Sequence, residues 1–112
     1  MPKRVELILK KIENIELVIE KAGTITNALD DDITYKPAIL MHLVSIAEQF
    51  KKIQNDMDLE LLAKFDKDDI RGALALRNFI AHDYEGVNLA VVEEVLRNYI
   101  PQLKKTIINI LK

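Results

Sequence analysis

With 112 residues the chain has room for one modest hydrophobic core and reads as a single helical domain over residues 1–112. Hydrophobic residues at 49% and charged residues at 30% fit a soluble helical protein, while three Gly, three Pro and no Trp leave too few turn signals for a many-stranded β fold. A formal net charge of −2 argues against a surface that is basic overall and leaves room for a local basic cleft; the absence of cysteine excludes disulfides and thiolate metal sites.

The opening Pro2-Lys3-Arg4 leads into a charged amphipathic helix rather than the apolar core of a signal peptide. No apolar run approaches the ~18 residues of a membrane span. A cytoplasmic location with no membrane attachment is therefore expected. From Lys3 to Ala22, apolar residues recur at Val5, Ile8, Ile12, Ile15 and Ile19, steps that place them on one helical stripe. Gly23 is the stop signal, and Thr24 or Thr26 can cap a short turn. The acidic run Asp30-Asp31-Asp32 suits the positive end of the next helix better than a metal, because neighbouring helical residues point different ways.

That helix is expected from Thr34 to Ile53, with Pro37 in its opening turn and a stripe through Ile39, Leu43, Ile46, Phe50 and Ile53. His42 reads as a surface or partly buried histidine. After the break at Asn55-Asp56-Met57-Asp58, Leu59 to Phe65 suggests a short crossing helix. Asp66 to Asp69 starts the third long helix, carried by Ile70, Ala73, Leu74, Leu76 and Ala81 and ending between Asp83 and Gly86. Asn88 caps the last helix, whose stripe runs from Leu89 to Ile110; Pro101 lies inside it and calls for a kink or short break. The expected architecture is an all-α, up-and-down four-helix bundle with one or two additional short helices.

The chemistry concentrates in Arg77-Asn78-Phe79-Ile80-Ala81-His82-Asp83-Tyr84. Asn78 and His82, four apart, share a helix face, and Arg77 aligns with Tyr84 if the helix reaches that far. Arg77 and His82 lie about 140° apart around the axis. That spacing suits two groups reaching around an anion, or a site completed by a second copy of the helix. A lone Arg and a lone His on a helix are, on residue type alone, more often a surface cation and a hydrogen-bonded imidazole. A histidine-rich metal site lacks ligands, since His42 is the sole other histidine.

The pattern Arg77-x4-His82-x-Tyr84, within Arg-Asn-apolar-apolar-x-His-x-Tyr, resembles the motif of HEPN-domain proteins. More narrowly it resembles the HepT-type toxins of prokaryotic toxin–antitoxin pairs. The similarity extends to Gly86-Val87-Asn88, to Val91 through Leu103 with Pro101, and to Ile46-Ala47-Glu48. Family members tend to have glycine where this chain has Ala47 and Ala75. The resemblance implies a HEPN-like bundle acting as an endoribonuclease that needs no metal and no cofactor. RNA brings its own nucleophile, the 2′-hydroxyl, so the protein supplies acid–base and anion-stabilising groups. His82 and Arg77 would be the catalytic pair, with Asn78 and Glu48 in support. A homodimer, within a larger toxin–antitoxin assembly or alone, would bring two copies of each together. In HepT-type pairs a nucleotidyltransferase antitoxin attaches AMP to the tyrosine at the position of Tyr84, blocking RNA. The alternative is a non-catalytic HEPN-like binding module that assists a partner nucleotidyltransferase.

Overall fold

A computed structural model describes residues 2–112, and among these there is no strand. Its helices are α1 (Lys3–Ala22), α2 (Ile25–Asp30), α3 (Tyr35–Asn55), α4 (Leu59–Leu62), α5 (Lys67–His82), α6 (Leu89–Glu94) and α7 (Ile100–Leu111). A π-helical turn, Val95–Tyr99, joins α6 to α7 without a break, so these three pieces form one rod. The rod with α1, α3 and α5 makes the four long helices, and α2 and α4 are the two short ones.

Local chemistry sets the boundaries. Gly23 adopts φ 100°, and its N–H turns back to the carbonyls of Ile19 and Glu20, closing α1. The Thr24 hydroxyl accepts from Asn27 N–H at 3.0 Å and starts α2. Within the acidic run, Asp31 accepts from Tyr35 N–H at 3.0 Å and Ile33 N–H at 3.2 Å. Those bonds, Tyr35 first, hold its carboxyl below the usual carboxylate range. Asp58, Asp66 and Asn88 cap α4, α5 and α6 through Leu61, Asp68 and Ala90 N–H.

Met57 departs from this economy, with φ 56° in the left-handed region between α3 and α4. A side chain there costs about 1–2 kcal/mol, part of which glycine returns as unfolded-chain entropy. Met57 is exposed, so Met57→Gly loses little packing. The variant is expected to unfold at higher denaturant, by up to about 1 kcal/mol. An unchanged or lower midpoint in chemical denaturation would refute the strain at this position.

Packing follows the stripes. α1 lies between α3 and the α7 end of the rod, and α5 lies on the other flank of α3. Arg4 Nε to Asp56 Oδ2 at 2.8 Å ties the start of α1 to the end of α3, and Lys104 to Glu16 at 2.9 Å ties α7 to α1. Val5, Ile8, Ile12, Ile39, Phe50, Leu103 and Ile107 are fully buried between them. Phe65, past α4, sets its ring edge-on to Phe50 with centroids 5.0 Å apart.

One expectation is corrected. Ala81 is exposed and Ile80 carries the core contact near the end of α5. Ile80 lies seven residues from Ala73 and four from Leu76, on their line; Ala81 falls about 100° further round. The kink or short break expected at Pro101 takes the form of the π turn Val95–Tyr99, which interrupts the α-helix just ahead of it while the chain stays helical. Pro101 lacks an N–H and crowds the carbonyl four residues back. The π turn just ahead of it absorbs the conflict, with Ile100 N–H reaching back five residues to Val95. Tyr99, in that turn, donates its hydroxyl to the Asp69 carbonyl at 2.5 Å and anchors the rod to the start of α5. Burial, reinforced by the nearby Asp69 carboxylate, raises the Tyr99 pKa far above the usual phenol range, so the donor stays protonated.

His42, half-buried on α3, has its pKa lowered from 6.5 by burial and then by Lys11. Its folded value lies below its unfolded value, so between them the unfolded chain binds more protons. Stability therefore falls as pH drops below about 6.5. Denaturation midpoints should decline from about pH 7 to pH 5, and His42→Gln should flatten that decline; an equal slope in the variant contradicts the assignment.

Candidate functional site

The third long helix delivers its polar residues to one edge of the bundle. Arg77 sits on the flank of α5 that faces α3, where its Nε donates to Glu48 Oε1 at 3.2 Å. Its Nη1 donates to Asn78 Oδ1 at 3.3 Å. Between the two helices lies a recess of about 440 Å³ lined by Ala47, Glu48, Lys51, Leu74, Arg77 and Asn78. The Arg77 and Glu48 side chains keep 45% and 44% of their surface in water. Such a pair contributes about 0–1 kcal/mol, so an incoming anion can displace it readily.

Lys51 is the residue the sequence did not single out. It lies one turn past Ala47 on the face of α3 turned to α5, and it adds a second cation beside Arg77. Its spacing, three from Glu48 and four from Ala47, is the signal that could have marked it.

His82 is the last residue of α5 and is exposed. It stands about 7.5 Å along the axis from Arg77 and outside the recess. Asn78 has its oxygen engaged by Arg77 rather than by the imidazole. The outer face of α5 also exposes Ala75, Asn78 and Phe79 at helical spacing around His82. Within one chain, then, the recess gathers Arg77, Asn78, Glu48 and Lys51, while His82 faces away from the bundle.

Tyr84 does not continue the helix. Asp83 ends α5 with φ −148° and ψ 81°, so the alignment of Tyr84 with Arg77 along a helix is lost. The Asp83 carboxylate turns back to accept Gly86 N–H at 2.9 Å, which folds the exit into a tight turn. A Cβ at Gly86 would stand 2.8 Å from Asp83 Cγ, so a larger residue there would have to push the Asp83 carboxylate aside and disturb its bond to the Gly86 N–H. Val87 is then buried and Asn88 caps α6. Tyr84 is thus presented, 37% exposed, on a short loop pinned at both ends.

Chemically the edge offers two cations in a recess, an imidazole one turn further on, and an accessible phenol. No helix among the described residues is long and apolar enough to cross a membrane. No curated protein and no solved structure matches the chain. The family described as Ribonuclease HepT-like matches residues 8–110, a span that takes in the recess, His82 and the Tyr84 loop. The chain belongs to this HepT-like ribonuclease family.

Proposed function

We propose that the chain is the toxin of a toxin–antitoxin pair, an endoribonuclease that cleaves RNA without a metal and is silenced by AMP modification of Tyr84. The observation that carries this reading is the recess in which Arg77 and Lys51 meet, with an exposed His82 on the next turn of the same helix. The scissile phosphate enters the recess and displaces Glu48 from the Arg77 guanidinium, whose fork matches two phosphate oxygens. The 2′-oxygen attacks phosphorus, its proton passes to an imidazole, and the bond to the 5′-oxygen breaks. That oxygen takes a proton and leaves as a hydroxyl, and the other fragment ends in a 2′,3′-cyclic phosphate.

One imidazole cannot stand on both sides of an in-line displacement. A homodimer pairing the outer faces of two α5 helices supplies a His82 for each side. The small Ala75 and the exposed Phe79 suit that contact, and it would carry His82 of one copy toward the Arg77 of the other. Asn78 holds the guanidinium in line. AMP on Tyr84, on the loop that directly follows α5, would add a negative phosphate and a bulky base at the end of the helix that carries Arg77 and His82.

A second reading, a non-catalytic module that assists a partner nucleotidyltransferase, is favoured by the prior engagement of Arg77 with Glu48 and Asn78. Growth assays and mass spectrometry separate the two. Expression should arrest growth, and co-expression with the partner nucleotidyltransferase should relieve it while adding AMP units to Tyr84. Tyr84→Phe should take up no AMP and escape that relief. AMP found on another residue refutes the modification site, and a toxic His82→Ala variant refutes the catalytic one.

A further inference from the structure

The recess at Arg77 is not closed off. Leu74 forms a wall that it shares with a second groove of about 660 Å³, cut between α4 and the first half of α5. The apolar lining of this groove includes exposed Leu59, half-buried Leu62 and buried Phe65, and its rim carries the exposed Lys67 and Arg71. The recess holds two cations, Lys51 and Arg77, against one carboxylate, Glu48; the groove holds two cations and no carboxylate. Asp66, Asp68 and Asp69 alternate with these cations at the start of α5, so on this edge the positive charge is confined to the linings of the recess and the groove. Asp68 stands 3.8 Å from Arg71 with both side chains about four-fifths in water, a weak hold on the guanidinium. From Lys67 to Arg77 this edge runs about 15 Å along α5.

We infer that the groove is a subsite for the nucleotides that flank the cleaved bond on the same RNA strand, an inference that rests on the ribonuclease reading above. A strand held by its scissile phosphate at Arg77 has to leave the recess, and the way past Leu74 opens onto the groove. A flanking base has apolar faces that Leu59, Leu62 and the edge of Phe65 remove from water. Its neighbouring phosphates reach Arg71 and Lys67 on the rim. The groove therefore favours long single strands over short ones and adds affinity away from the reacting atoms.

Charge reversal on the rim tests this with the full chain. Lys67→Glu combined with Arg71→Glu touches two exposed side chains, and a carboxylate in the first turn of α5 suits the helix dipole. On a long single-stranded RNA, kcat/KM should fall about tenfold more than on a dinucleoside monophosphate. The salt dependence of RNA binding should also lose a slope of about 1.4, about 0.7 per cation on a single strand. Lys21→Glu with Lys105→Glu makes the same change in net charge at exposed positions elsewhere and should behave as the wild type. Equal effects on long and short substrates, or none, overturn the subsite.

Binding of a 2′-O-methyl RNA, measured by fluorescence anisotropy, separates the two levels of the argument. If the wild type cuts no RNA, the ribonuclease reading fails; binding lost in the rim variant then still upholds the groove, and binding retained overturns it. A synthetic acidic amphipathic peptide that needs Lys67 and Arg71, where RNA does not, would assign the groove to a protein partner and overturn the proposal.

Discussion

Replacing His82 by alanine is expected to slow RNA cleavage by about 10²–10⁴-fold, the range of general acid–base catalysis by a positioned side chain. The loss should fall on kcat if, as proposed, the imidazole moves protons in the transition state while Arg77 and Lys51 bind phosphate. Stability should stay within about 0.5 kcal/mol, since His82 is exposed at the end of α5. Helicity by circular dichroism and the denaturation midpoint check that part. A variant that unfolds readily would show instead that the imidazole is structural.

Arg77→Ala should be nearly as damaging, about 10²–10³-fold, as expected when a group that offsets developing charge is removed. Arg77→Lys should recover only part of this, because an ammonium is a point charge and cannot present two parallel N–H donors. The fold should tolerate the change, since the bond to Glu48 is half in water and contributes about 0–1 kcal/mol. If Arg77→Lys cleaves as fast as the wild type, the bidentate role assigned to Arg77 is wrong. If Arg77→Ala does, the recess is not the phosphate site.

Much of the fold was legible because its signals are local. Gly23, Thr24, Asp66 and Asn88 each act within a few residues, and the α1 stop and the helix starts they mark match those observed, while the crossing helix read from Leu59 to Phe65 closes at Leu62. The rest divides in two. Ala81 was a misplaced period: Ile80 lies seven residues from Ala73 and four from Leu76, so the helical repeat itself favours Ile80. The π turn before Pro101 depends on Leu96, Ile100 and Leu103 all remaining buried while the Pro101 clash is relieved. No local pattern announces that compromise.

The site divides in the same way. Arg77, His82 and Tyr84 stand out as a motif because they fall within eight residues of one another. The hydrogen bond between Arg77 and Glu48 joins residues 29 apart in sequence, and Lys51 enters the recess only through the packing of α3 on α5. The turn that lifts Tyr84 off the helix depends on the Asp83 carboxylate folding back onto Gly86. Spacing alone places Tyr84 in line with Arg77; the chain does not.

The most direct measurement is RNA cleavage by the purified, unmodified protein in excess EDTA, beside His82→Ala, with the product ends determined. Cleavage by the wild type alone, leaving 2′,3′-cyclic phosphate ends, is the predicted result. No cleavage of any RNA, cleavage that EDTA abolishes, or equal cleavage by His82→Ala would contradict the account.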